Sequence, residues 1–371
     1  MNDSALPYLH ALRLIPGIGS QTLRALVEHF GDGKTAWQGN AAALSSCPHL
    51  KPKTVELLIS GKKEIDPEKE WGKLETEEIR VLCQSDKHYP PLLKEIPDAP
   101  YLLYVRGNFN WSRAHLRPTI AIVGSRKYTP YGEQAALRLS EELTRAGFLV
   151  VSGLAFGIDS MAHKATLEAG GETLAVLGSG ISDTDISPRS HVPLAEKIME
   201  RGALVSEYPP GHPILPGNFP ARNRIIAGLS LGTLVIEAAV GSGSLITADL
   251  ALQYNREVFA LPGSVFSPSS LGTNQLIKKG AKMVTSVQDI LEELPEAISD
   301  KNERSPLKTT TSSGLAKEEE IVLKLLSHEP LHVDKITRGA TLETAHVTGL
   351  LSLLEIKGRI KNVGGMHYIK L

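Results

Sequence analysis

The chain has 371 residues, enough for two or three domains. Its 40 Lys and Arg stand against 41 Asp and Glu, a formal net charge of −1, so no global excess marks a polyanion binder and any anion site must come from local clustering. Aromatic residues make up only 5%, which argues against a large stacking platform, and no stretch approaches the ~18 consecutive apolar residues of a membrane span. Cys47 and Cys83 lie far apart and form no CxxC; they read as free thiols in a reducing cytosol. The opening Met-Asn-Asp-Ser-Ala-Leu-Pro lacks a basic region and a long apolar run, so no signal peptide is expected.

Residues 1–72 read as a small domain of short helices. Within them, Leu14-Ile-Pro-Gly-Ile-Gly-Ser-Gln-Thr-Leu23 places a Gly-x-Gly between two helices, where backbone amides can approach a phosphate. This resembles a helix-hairpin-helix element, of the sterile-alpha-motif-like kind. The flanking cations are only Arg13 and Arg24, so a tight corner that binds nothing is the favoured reading. Lys62–Glu78, dense in both charges, closes this domain. Strands are expected at Ile79–Cys83 and Tyr101–Arg106, ahead of the main sheet.

From Thr119 the pattern alternates. Apolar, β-rich runs at 119–123, 148–152, 173–177, 203–207, 233–237, 257–261 and 282–285 are separated by helix-period segments at 132–146, 157–169, 191–201, 220–228, 244–254, 272–279 and 287–294. Gly147, Gly170 and Gly202 fall where helices should end. Such alternation predicts βαβ units in a mostly parallel α/β sheet over 79–295, with the turns after the strands along one edge. A polar stretch around Lys308-Thr-Thr-Thr-Ser-Ser-Gly314 predicts a linker over 296–317. Three helices and a Gly-Gly hairpin then predict a winged-helix domain over 318–371.

Several chemistries are missing. The Gly124 turn is not G-x-G-x-x-G, and Ser152-Gly153 lacks the acid that would hold a ribose, so no dinucleotide cofactor is expected. No P-loop and no His/Cys/Glu set at metal-ligand spacing occurs. What remains is a set of glycine and cation loops. Gly124-Ser125-Arg126-Lys127 follows the first strand of the parallel series. Ser152-Gly153 through Gly157 and Asp159 to His163-Lys164 opens the second crossover. Phe219-Pro-Ala-Arg222-Asn223-Arg224 starts a helix in a stretch with no acid between Glu207 and Glu237, hence locally positive. Gly241-Ser242-Gly243 begins another helix. Glycine amides and a few cations suit phosphates. Each also has a bland reading: Arg126 paired with a structural carboxylate, Arg222 and Arg224 bracing the sheet edge, Lys164 on a solvated helix face, Asp159 as a cap and His163 as a structural histidine.

The set Gly-Ser-Arg…Tyr-Gly, Val-Ser-Gly-Leu-Ala-x-Gly-Ile-Asp…Ala-His, Ser-Glu-x-Pro, Phe-Pro-x-Arg-Asn-Arg-Ile-Ile-Ala-Gly-Leu-Ser and Ser-Gly-Ser-Leu-Ile-Thr-Ala, continued by Val258-Phe-Ala-Leu-Pro-Gly263 and Gly272-Thr-Asn-Gln-Leu-Ile277, resembles the bacterial DprA/Smf DNA-processing family over roughly 80–295. The resemblance implies an extended Rossmann-like fold that binds single-stranded DNA without catalysis or cofactor. It also implies a cytoplasmic homodimer through that domain, which helps load the RecA recombinase onto incoming strands in natural transformation. It places DNA contacts at Ser125, Arg126 and Lys164. With the residue-level reading, the candidate contacts are Gly124, Ser125, Arg126, Lys127, Gly153, Gly157, Lys164, Arg222, Asn223, Arg224, Gly241, Ser242 and Gly243. One departure stands out. Where the family shows Tyr-Pro and a nearby Asn, this chain has Ile186-Ser-Pro-Arg-Ser-His191, so Arg189 or Ser190 would have to supply that contact. The winged helix offers Thr344, His346 and Thr348 but also Glu343 and Glu355, which favours a protein-contact or regulatory role. The competing reading is a Rossmann-like phosphoribohydrolase using Glu207 or Glu237, although its Pro-Gly-Gly-x-Gly-Thr-x-x-Glu pattern is absent.

Overall fold

A computed structural model describes residues 5–112, 117–294, 317–327, 330–340, 342, 344–356 and 359–370. Residues 296–316 of the expected 296–317 linker, and Glu343, lie outside the described residues, while Lys317 opens a helix; the chain divides into two compact units, Met1–Lys301 and Asn302–Leu371.

In the first unit the described residues form a nine-stranded sheet. Its strands are β1 (Ile79–Cys83), β2 (Leu102–Arg106), β3 (Thr119–Val123), β4 (Leu149–Ser152), β5 (Thr173–Val176), β6 (Ala203–Ser206), β7 (Gly232–Val235), β8 (Glu257–Ala260) and β9 (Lys282–Met283), in the order β1-β2-β6-β5-β4-β3-β7-β8-β9. From β6 through β9 all pairings are parallel; β2 joins β6, and β1 joins β2, antiparallel. The two early strands therefore extend the main sheet rather than merely precede it.

Residue alternation sets the layers. Ala121, Val123, Val151, Val176 and Val205 face a core shared with Ile225–Ala227, Ala248 and Ala251. Ile120, Ile122, Val150 and Leu234 face the opposite way, onto Ala136, Leu139 and Leu143 of the helix Pro130–Arg145 and onto Ile158 and Met161. At the β1–β2–β6 end, Tyr104, Ala175 and Leu204 pack against Leu9, Leu12, Ile15, Leu23, Leu26 and Leu58, so the N-terminal helices share a core with the sheet.

The helix Leu6–Leu14 and the helix Ser20–Phe30 are joined by the Pro16–Gly19 corner, where Gly17 has φ +85°. Arg13 donates to the Ile18 carbonyl (3.1 Å) and lies over the Tyr208 ring; Arg24 donates to the Ala99 carbonyl (3.2 Å) and Gln84. Both hairpin cations thus brace the corner against the sheet.

The second unit has helices at Lys317–Leu325, Val333–Ala340 and Thr344–Ile356, with β10 (Leu331–His332), β11 (Ile360–Gly364) and β12 (His367–Lys370) in the order β10-β12-β11. Val322, Leu326, Ile336, Val347, Leu351 and Tyr368 form its core. The Glu355 carboxylate accepts from the Asn362 amide (3.0 Å), tying the last helix to the wing.

Candidate nucleic-acid interface

The crossovers run one way from β3 through β4 and β5 to β6, then return to β7 on the other flank of β3 and continue to β9. The β3/β7 pair is therefore the topological switch point, the place at which open α/β sheets bind their ligands. The two loops bounding it are 124–129, after β3, and 236–243, after β7.

Loop 124–129 is held from below. The Ser125 Oγ donates to the Lys127 carbonyl (2.5 Å) and accepts from the Lys127 amide (3.1 Å), and the Ile158 amide donates to the Ser125 carbonyl (3.3 Å). A Cβ on Gly124 would meet Ile158 at 2.7 Å, so glycine is needed there for close packing. At the far end, the Glu237 carboxylate accepts from the Thr129 amide (2.9 Å) and hydroxyl (2.6 Å). Arg126 and Lys127 are exposed, and among the described residues no ion pair involves either. The Arg126 guanidinium stands 6.0 Å above the Phe219 ring.

The opposite bank is open. Gly241 and Gly243 are exposed, and a Cβ on either would meet nothing within 4 Å. The Ser242 Oγ accepts from the Ser244 amide and starts the helix Gly243–Gln253. Lys164 is exposed on the helix Ile158–Glu168, about 9 Å along it from the end that touches loop 124–129.

Five of the candidate contacts are engaged within the protein. Arg222 is not a surface cation: it is 4% exposed, and its guanidinium donates to the carbonyls of Gly153 (2.7 Å) and Val176. Burial lowers its pKa to about 10, opposed by the charge of buried Asp159, so it stays charged at neutral pH. Arg224 is paired with Glu207 (2.7 Å) and Asp98 (3.3 Å), so the stretch between Glu207 and Glu237 is not the free positive patch its composition suggests. Gly153 and Gly157 are buried. The Gly153 amide donates to Asp159 (3.1 Å), and Gly157 packs on the Ser125–Arg126 backbone. These residues shape the rim from beneath. Asn223 does likewise: its amide donates to the Gly243 carbonyl (3.1 Å) and anchors the opposite bank. One turn of the helix Asn218–Gly228 thus fastens the carboxyl end of β5 and the loops after β4, β6 and β7.

Burial raises the Asp159 pKa, countered by Arg222 and by the Gly153 and Ala155 amides. His163 is buried; its Nδ1 lies 2.8 Å from the Thr173 hydroxyl, and desolvation lowers its pKa to about 3, leaving it neutral. Arg189 is exposed and donates to the Asp183 carbonyl (2.6 Å). Both carboxylates considered as hydrolytic acids are held by structural partners: Glu207 by Arg224, and Glu237, 1% exposed, by Thr129. Among the described residues no group of three or more His, Cys, Asp or Glu is placed to hold a metal.

Sequence reasoning missed the aromatic residues of this edge. Tyr128, Tyr131, Phe156 and Phe266 are exposed on or beside the loops after β3, β4 and β8. Single rings within glycine-rich loops carry no periodicity that would mark them as exposed.

The fold and rim define an α/β protein with a glycine-and-cation crevice at its switch point and a separate winged-helix unit. Residues 80–295 match the family model for DNA recombination-mediator protein A, and residues 306–366 that for the DprA winged helix domain. Protein Smf of Synechocystis is 33% identical over 99% of both chains. The DNA processing protein DprA of Bacillus subtilis is 44% identical over 59% of this chain and 72% of its own. Among solved structures, DprA of Streptococcus pneumoniae superposes with a TM-score of 0.65 at 36% identity, covering 77% of this chain and 97% of that one. DNA processing protein A of Helicobacter pylori, described for its single-stranded DNA binding mode, superposes at 0.52 and 30% identity over 59% and 96%. The chain belongs to the DprA/Smf family.

Proposed function

We propose that the crevice between loops 124–129 and 241–243 grips single-stranded DNA by its sugar–phosphate backbone, with Arg126, Lys127 and Lys164 as phosphate partners and Ser125, Gly241, Ser242 and Gly243 as the close-approach surface. The observation that carries this reading is the placement of exposed cations free of ion pairs and of open glycines on the loops that follow the two strands of the switch point. The Helicobacter relative, described for its single-stranded DNA binding mode, supports it. Backbone contacts of this kind carry no sequence information. The protein acts without catalysis: Glu207 and Glu237 already serve structural partners, which weighs against a hydrolase. We assign it the family role of a homodimer, assembled through the Rossmann-like domain, that protects the strand and passes it to RecA. The winged-helix unit serves protein contact or regulation.

Fluorescence anisotropy with labelled oligothymidine tests the binding. A complex that ignores base composition and weakens with salt is expected; no complex at low salt overturns the reading. Incubation with nucleoside monophosphates tests the enzymatic alternative. No free base is expected, whereas turnover abolished by Glu237→Gln would favour the hydrolase.

A further inference from the structure

We propose that Phe156 forms a stacking subsite that takes one nucleobase of the strand held at Arg126; this rests on the binding reading above. Phe156 is 51% exposed on the loop after β4, between Ala155 and Gly157. Isolated exposed apolar residues are ordinary. Phe156 differs because its ring is held and placed. It meets the His191 ring in a T-shaped pair, 5.0 Å between centroids at 68°. His191 is itself fixed, its Nδ1 2.9 Å from the Leu154 carbonyl. The loop beneath is anchored by Asp159 and Arg222 through Gly153.

The next residue, Gly157, packs so closely on loop 124–129 that a Cβ there would lie 3.0 Å from the Arg126 Cα. The Cα atoms of Phe156 and Arg126 are therefore within about 9 Å, since one trans peptide step is ~3.8 Å. Arg126 and Phe156 thus sit on adjoining loops, where one offers a guanidinium to a phosphate and the other an exposed ring to a base of the same strand. Every base has a π-face, so the subsite adds affinity without sequence preference.

The test uses the full chain, labelled oligothymidine and an all-abasic strand of equal length. Phe156→Ala is expected to weaken oligothymidine binding about 5- to 160-fold, the equivalent of a base stacked on an aromatic ring. Its affinity for the abasic strand and its salt dependence should match wild type, and Phe156→Trp should restore tight binding. Wild-type affinity of Phe156→Ala for oligothymidine, or equal losses on both strands, overturns the subsite. If oligothymidine binds wild type and Arg126→Ala weakens it while Phe156→Ala does not, only the subsite fails; if wild type does not bind at all, the underlying reading falls with it.

Discussion

The Arg126 backbone fills the space beside Gly157: a Cβ on Gly157 would lie 2.9 Å from the Arg126 carbonyl oxygen and 3.0 Å from its Cα. Gly157 also has φ +82° at the start of its helix. The loops after β3 and β4 are thereby one body, and the exposed cation rides on the buried glycine. Gly157→Ala meets both a left-handed backbone and a backbone clash, and should destabilise the first unit by about 2–4 kcal/mol in urea titration. A loss below about 0.5 kcal/mol would show that the two loops are not locked together.

Arg222 and Arg126 should separate cleanly under mutation. Removing the buried guanidinium leaves the Gly153 and Val176 carbonyls without that donor and Asp159 without its counter-charge. Arg222→Met should cost about 3–5 kcal/mol, as breaking buried charge networks does. Arg126→Ala, at an exposed side chain, should stay within about 0.5 kcal/mol of wild type. Equilibrium unfolding of both variants checks this; comparable stability would contradict the assignment of Arg222 as a brace.

Stability should fall in mild acid. Burial lowers His163 to about 3 and His10, whose Nδ1 lies 2.9 Å from the Tyr104 hydroxyl, to about 4. Between about pH 6.5 and 4 the unfolded chain binds a proton at each that the folded unit refuses, so their stabilising effect is complete above pH 6.5 and is lost as pH falls. The slope is about 1.4 kcal/mol per pH unit per histidine. Asp159, raised by burial, acts with the opposite sign in the range above its unfolded value. Denaturation at pH 7 and pH 5 should show wild type losing about 2 kcal/mol more than His163→Gln. Identical losses would refute a neutral buried His163.

The parallel sheet was legible because each strand is a short apolar run closed by glycine or a polar turn, as at Ile120–Val123 before Gly124. The antiparallel β2–β6 pairing was not, since Tyr104 and Ser206 meet across a long stretch of chain and no local pattern encodes it. At the site, Arg126 was legible as a cation in a glycine turn. Arg222 and Arg224 were misread for one physical reason: Asp159, Asp98 and Glu207 neutralise them from other elements, and composition within a window sees only one side of each pair. Phe156 was overlooked because a single ring in a glycine loop has no periodicity; its exposure emerges only once Gly157 is seated under Arg126.

The most direct test of backbone gripping at this rim is oligothymidine affinity at stepped salt for wild type, Arg126→Ala and Lys164→Ala. Log affinity should fall linearly with log salt, and each variant should bind more weakly with a slope shallower by about 0.7, one phosphate contact fewer on a single strand. Unchanged affinity and slope in both variants would contradict the claim.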